Sequence, residues 1–60
     1  MTTYKVVEWT DRQKVENFLL ATDALEYLVK RAVAGAEHLE LHEAETGCKY
    51  TLLFTYRKES

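Results

Sequence analysis

The spacing of hydrophobic and polar positions changes along this chain, and each change predicts an element. Residues 4–9 (YKVVEW) are rich in β-forming side chains and predict a first strand. Residues 23–34 repeat apolar positions at helical spacing, and the glycine at position 35 supplies the left-handed backbone that commonly ends a helix. The alternation in residues 37–43 (EHLELHE), followed by the β-rich run 49–56 (KYTLLFTY), predicts a C-terminal hairpin.

Residues 14–20 allow two interpretations. Their apolar positions also have helical spacing, which would extend the helix back to Asp11 and give it a length of ~36 Å at 1.5 Å per residue. Such a helix would overhang strands of ~23 Å. The other interpretation is a second strand, with a turn near Asp11 and a helix that Thr22 or Asp23 caps. We favour this β-β-α-β-β order within α+β; the alternative is β-α-β-β with a long helix.

The residues that close the C-terminal hairpin decide which side chains share a face. A four-residue loop at 44–47, ending in glycine, sets Leu39 opposite Leu52 and Leu41 opposite Tyr50 beneath the helix. The last strand is apolar on both faces, so we predict that it lies centrally. The other sheet face is expected to be uncovered. The side chains predicted on that open face are His38, Glu40, His42, Lys49, Thr51, Leu53 and Thr55.

Length, charge and cysteine content narrow the class of protein. Sixty residues predict one small domain spanning positions 1–60, with a thin core and marginal stability. The net charge of −2, with both signs interspersed, lacks the basic footprint of a general nucleic-acid binder. Cys48 is the only cysteine, which rules out a disulfide within the chain and favours a reducing compartment. We expect a cytoplasmic protein without a membrane span.

His38, Glu40 and His42 form the most conspicuous candidate for chemistry. Alternate strand residues project to one side about 7 Å apart, so two imidazoles and a carboxylate there could meet a zinc ion. Any half-buried strand must also carry a polar face, and a further ligand at a recognised spacing is absent from the sequence. We therefore keep metal binding by these three residues only as an alternative function.

Catalysis and nucleic-acid binding are less well supported by the residues. The sequence contains no nucleophile elbow, phosphate loop or paired cysteines, and a core this thin rarely encloses a pocket that shifts a pKa. We predict that the chain is not an enzyme and has no cofactor. Lys49, Arg57 and Lys58 form a small positive cluster, and a weak nucleic-acid binder remains a further alternative.

The middle of the chain resembles the small phage-encoded inhibitors of bacterial RNA polymerase. The resemblance covers residues 20–43, preceded by a short β-like pair. Its matching pieces are Thr22, Ala24-Leu25-Glu26, Ala34-Gly35 and Leu39-Glu40-Leu41. It implies a strand pair, a capped helix and a turn into a strand, and a phage or mobile-element origin. Those inhibitors carry arginines on the strand after the helix, where this chain has histidines and glutamates, so the resemblance implies no partner contact.

These observations predict a small, non-catalytic protein-interaction module, plausibly a phage or mobile-element protein that binds and modulates a host protein. The contact is expected on the open sheet face or along an edge strand. The predicted partner-binding residues are His38, Glu40, His42, Thr51 and Leu53. Either surface could also form a homodimer, which would support a small core.

Overall fold

The computed structural model describes residues 1–59 and shows four strands and one helix. The elements are β1 (Thr2–Trp9), β2 (Gln13–Phe18), α1 (Ala21–Val33), β3 (His38–Glu45) and β4 (Thr51–Arg57). The strands form one antiparallel sheet in the order β2-β1-β3-β4. This confirms the predicted α+β fold and its β-β-α-β-β order, and the long-helix alternative is wrong. No helix among residues 1–59 is long and apolar enough to cross a membrane.

The first hairpin turns without glycine or asparagine. Thr10 supplies the missing turn chemistry, because its hydroxyl donates to the carbonyl oxygen of Arg12 at 3.0 Å and accepts from the Arg12 amide at 3.3 Å. A threonine hydroxyl can stabilise a turn in this way. The following strand begins at Gln13 and ends at Phe18, so the prediction of a strand over 14–20 was right about its type and shifted at both ends.

The helix begins earlier than its capping signal predicted. Leu20 occupies the N-cap position, and no side chain of the described residues caps the first turn, so the predicted cap at Thr22 or Asp23 is wrong. Asp23 instead lies inside the first turn, where a carboxylate favours the helix dipole. The predicted end of the helix at a left-handed glycine is confirmed. Gly35 has φ of 107°, and the next amide donates to the carbonyl oxygen of Arg31 at 3.0 Å, as in a Schellman motif.

The core lies between α1 and the two central strands. Leu39 and Leu41 of β3 lie on the helix side of the sheet and are buried, as predicted. The buried residues that pack together are Val6, Ala24, Leu28, Ala36, Leu39 and Leu41. Phe18 and Tyr27 extend this core toward β2, with their ring centroids 5.4 Å apart. The helix therefore covers β1, β3 and β2 and leaves the helix side of β4 largely bare.

The last strand differs from its prediction in register and in position. β3 continues through Ala44 and Glu45, because these residues pair with the start of β1. The loop therefore shifts to residues 46–50, with Gly47 at φ of 82° as the expected left-handed residue. Leu41 pairs with Phe54 rather than Tyr50. β4 forms an edge of the sheet, so its predicted central place is wrong.

Candidate functional site

His38, Glu40 and His42 lie in a row on the open face, as the alternation predicted. Glu40 bridges the two imidazoles: its Oε1 accepts from Nε2 of His42 at 3.0 Å, and its Oε2 lies 3.4 Å from Nε2 of His38. All three side chains are largely shielded from solvent, and the ring of Trp9 lies 6.4 Å from that of His38. Glu40 and His42 are therefore hydrogen-bonded to each other, whereas the buried Nε2 of His38 has no hydrogen-bond partner.

The electrostatics of the cluster favour a charged carboxylate. The hydrogen bond from His42 is the main cause that holds the pKa of Glu40 below its ordinary value of 4.5, against partial burial, which acts in the opposite direction. The nearby indole of Trp9 and the two imidazoles lower the pKa further. Glu40 is consequently an anion at neutral pH and is poorly suited to act as a general acid.

The geometry of these three side chains does not support a metal site. Among residues 1–59, no group of three or more His, Cys, Asp or Glu side chains is placed to hold a metal ion. Glu40 turns one oxygen toward each imidazole nitrogen, with a hydrogen bond to His42 and a distance of 3.4 Å to His38, so the carboxylate lies between the two rings. Cys48 lies exposed in the loop before β4 and adds no ligand to the cluster.

Thr51 and Leu53, the other two predicted site residues, lie on β4, the strand that pairs with β3. Thr51 pairs with Glu43, which lies on the helix side of β3, so its predicted place on the open face is wrong. Leu53 falls where the register shifts between Leu41 and His42, and it has no partner residue on β3. The shift puts Leu52 opposite His42 on the open face. The five predicted residues therefore do not form one surface.

The apolar edge of β4 was missed as a site. Leu52, Leu53 and Phe54 are each about half exposed, at 50%, 49% and 50% of their full accessible surface. Tyr50 precedes them on the open face, with the ammonium of Lys5 4.2 Å from its ring centroid. The run from Tyr50 to Tyr56 contains no charge. This feature could have been recognised from sequence as an apolar strand with two unsatisfied faces, had it not been assigned to the centre of the sheet.

A partly buried ion pair joins the sheet to the helix. Glu8 is only 5% exposed on the helix side of β1, and its two carboxylate oxygens accept from Nε and Nη2 of Arg31 at 2.8 and 3.2 Å. The guanidinium lowers the pKa of Glu8 chiefly through these bonds. The pair lines a cleft of about 510 Å³ at the end of α1. Nothing in the sequence identified Arg31 as the partner of Glu8.

The three cations considered for nucleic-acid binding do not converge. Lys49 lies in the loop before β4, whereas Arg57 and Lys58 lie at the other end of that strand. Arg57 pairs across the sheet with His38, near Glu37. An uncharged strand of ~23 Å separates the two ends, so these cations do not make a continuous track for a phosphate backbone.

The described residues thus present two different surfaces. One is the compact cluster of His38, Glu40 and His42, whose polar groups are largely paired with each other. The other is the edge of β4, which is apolar, uncharged and half exposed. No protein family, curated protein or solved structure matches this chain.

Proposed function

We propose that this chain is a non-catalytic module that binds another protein through the edge of β4. The observation that supports this proposal is the contiguous, half-exposed run Leu52-Leu53-Phe54 on a strand at the border of the sheet. Exposed apolar patches of this kind commonly mark interaction surfaces in small proteins. The outer N–H and C=O groups of an edge strand can also pair with an added strand.

The composition of β4 strengthens this proposal. A strongly β-forming run without charge or proline is an aggregation hazard when it stays uncovered at an edge. Charged residues border it only at its ends, at Lys49 and Arg57. A partner strand would cover the backbone edge, and side chains such as Leu53 and Thr51 would enter the contact. The proposal thus keeps the predicted contact along an edge strand. The histidine cluster lies on β3, the neighbouring strand.

The sequence resemblance supports one specific version of this function. A phage or mobile-element protein that binds and modulates a host protein needs only a small stable body and one adhesive surface. The chain has both features, because α1 and the central strands supply the body and β4 supplies the surface. We carry no contact residue over from the resembling inhibitors.

Affinity capture from the native host tests the proposal when edge and control variants are compared. Leu53→Lys places a charge on the edge, a substitution that discourages strand pairing. Val33→Lys places the same charge on the outer face of α1, where the side chain is 83% exposed. We expect a protein captured by the original chain and by Val33→Lys, and lost with Leu53→Lys.

Circular dichroism of each variant must show an unchanged fold for this comparison to count. Equal capture by all three proteins, or capture lost only with Val33→Lys, would show that β4 is not the binding edge. If the original chain enriches nothing over folded Leu53→Lys, the proposed function is wrong.

A further inference from the structure

The register shift divides the outer edge of β4 into two halves. Leu53 has no partner residue on β3, so the ladder is irregular at that point. An extra residue in one strand disturbs the backbone row and commonly blunts an edge against further pairing. Beyond the shift, Phe54 to Arg57 pair one to one with β3. We call residues 54–57 the regular edge.

The hydrogen bonds to β3 show which backbone groups of the regular edge face outward. The amide of Lys58 donates to the carbonyl oxygen of Glu37 at 2.8 Å. Antiparallel ladders alternate bonded and non-bonded pairs, so alternate residues back from Lys58 also bond to β3, and Thr55 and Arg57 point their N–H and C=O groups away from the sheet. Each of these two residues therefore offers one donor and one acceptor to an added strand.

The helix side of the regular edge is apolar. Phe54 pairs with Leu41, which is buried beneath α1, and Phe54 is itself half exposed. Tyr56 pairs with Leu39 and packs against the same core. A strand added beside β4 would bring every second side chain to this side of the sheet. Apolar side chains at those positions would cover Phe54.

The open face of the regular edge carries a cation without a counter-charge. Arg57 pairs with His38 on that face and is exposed. Glu40 of the same row is hydrogen-bonded to His42. Glu37 lines one cleft with Arg57, yet no salt bridge among residues 1–59 includes Arg57. Opposite charges directly across a strand pair attract, so an added strand with a carboxylate opposite Arg57 is favoured.

We infer that the protein partner, if the proposed function holds, adds an extended segment antiparallel to the regular edge, with the order acidic, apolar, polar, apolar from its N-terminus. Antiparallel pairing continues the pattern of the sheet and is the more stable arrangement. In this direction the acidic residue lies opposite Arg57 and the polar one opposite Thr55, on the open face. The two apolar residues lie opposite Tyr56 and Phe54, on the helix side. Backbone bonds supply affinity, and the alternate side chains supply specificity.

The other edge of the sheet is protected against such a segment. Lys14 and Glu16 of β2 pair with Glu8 and Val6, so both charges point to the helix side. Inward-pointing charges on an edge strand discourage further pairing. The regular edge of β4 has no such charge on its helix side, so the segment is expected on β4 alone.

A second copy of the chain meets the regular edge less well. The run from Tyr50 to Tyr56 contains no charge. Over the length of β4, antiparallel pairing of two copies would therefore place an uncharged residue, or another Arg57, opposite Arg57. The cation would stay without a carboxylate, whereas a different partner can provide one.

A tethered probe strand tests the inference on the full chain. A probe that begins Glu-Val-Thr-Val is fused after Ser60 through a short Gly-rich loop, so that it can fold back antiparallel to β4. We expect solvent exchange of the Thr55 and Arg57 amides, measured by NMR, to slow about fivefold or more relative to the unfused chain, because a tether gives a high effective concentration. The Lys58 amide should change little, since it is already bonded to Glu37.

Two matched comparisons make the result specific. A probe with proline as its third residue lacks the donor that faces Thr55 and should give no protection. A probe that begins with lysine should protect about two- to fivefold less than the original. Arg57→Glu in the chain should reverse this order, so that the lysine probe protects better. Each exchange rate is compared with that of the same chain without a probe.

The inference is overturned if the Thr55 and Arg57 amides exchange equally fast with and without the probe, if the proline probe protects them as well, or if Arg57→Glu does not reverse the charge preference. It is also overturned if light scattering shows that the unfused chain is a dimer in which both amides are already protected, since a second copy would then occupy the edge. Capture lost with Leu53→Lys, combined with a probe that fails, would leave the proposed function standing and reject only this segment.

Discussion

The central strands and the last strand of this sheet carry similar apolar side chains, but the central strands bury them and the last strand leaves them half exposed. Leu39 and Leu41 of β3 lie beneath α1 and are almost completely buried, whereas Phe54 of β4, which pairs with Leu41 on the same side of the sheet, keeps about half of its surface in water. The side chains are large and apolar in each case. The difference is the position of the strand relative to the single helix, which reaches β3 and stops short of β4.

Polar groups sharpen the contrast between the two regions. In the centre, Glu8 is held by Arg31 on the helix side, and Glu40 is held by two histidines on the open side. β4 has no charge between Tyr50 and Tyr56. A body whose two faces both carry paired polar groups can tolerate one apolar edge. We therefore expect substitutions in the centre to change stability and substitutions on β4 to change binding.

The largest predicted effect compares two leucines. Leu39→Ala removes a fully buried side chain and leaves a cavity, so we expect a loss of about 2–5 kcal/mol in the free energy of unfolding. For a domain this small, that loss is a large share of the total stability. Leu53→Ala on the edge should cost less than about 1 kcal/mol, because the side chain gains little from folding.

Urea denaturation followed by tryptophan fluorescence measures both losses. The comparison between the regions fails if the two substitutions cost the same. A large loss at Leu53 in a dilute sample that falls further with dilution would show that β4 is already covered by another copy.

The second prediction concerns the ion pair inside the centre. Glu8→Gln keeps the shape of the side chain and removes the charge that Arg31 faces, so we expect a loss of about 1–3 kcal/mol in the free energy of unfolding. Glu16→Gln, an exposed position on β2, is the matched control and should change it by less than about 0.5 kcal/mol.

A paired replacement separates the charge from the packing. Glu8→Leu with Arg31→Met substitutes apolar groups for both partners, and such exchanges are often neutral or stabilising. We expect the double variant to recover much of the stability that Glu8→Leu alone removes. If the double variant is as unstable as the sum of the two single ones, the pair contributes no coupling and its role in holding α1 on β1 is wrong.

The fold could be predicted because its signals are local. Alternation in residues 37–43 identified β3 and its buried leucines, and Gly35 identified the end of the helix. The turn after β1 was predicted only by comparing helix and sheet lengths, because Thr10 does there what glycine or asparagine usually does. Local rules were thus sufficient for the order of the elements and for the inward face of β3.

The site could not be predicted in the same way because it depends on strands that are distant in sequence. β3 runs on to Glu45 since its last residues pair with the start of β1, and this moves the hairpin loop and the register of β4. A register shift next to Leu53 then changes which face the first half of the strand presents. Neither effect has a signal within the hairpin itself, so Thr51 was assigned to the wrong face and the irregular pairing at Leu53 was not predicted.

The smallest predicted effect tests the histidine cluster as part of the centre. The folded pKa of Glu40 lies below its ordinary value of 4.5, so the charged form is favoured by folding. Its contribution is fully present above the ordinary value and is lost as the pH falls through the lowered pKa of the folded chain. Compared with Glu40→Gln, the original chain should be more stable by up to about 1 kcal/mol at neutral pH.

That difference should shrink as the pH falls below 4.5, where Glu40 becomes protonated and resembles the glutamine that replaces it. Urea denaturation of both proteins between pH 7 and pH 3 measures this difference in the free energy of unfolding. The contribution of Glu8 to the pH dependence cancels, because Glu8 titrates in both proteins. A difference that stays constant with pH would mean that Glu40 acts through its shape alone. A difference that grows as the pH falls below 4.5 would reverse the assignment, since it would require the folded chain to bind a proton at Glu40 more tightly than the unfolded chain does, the opposite of a lowered pKa.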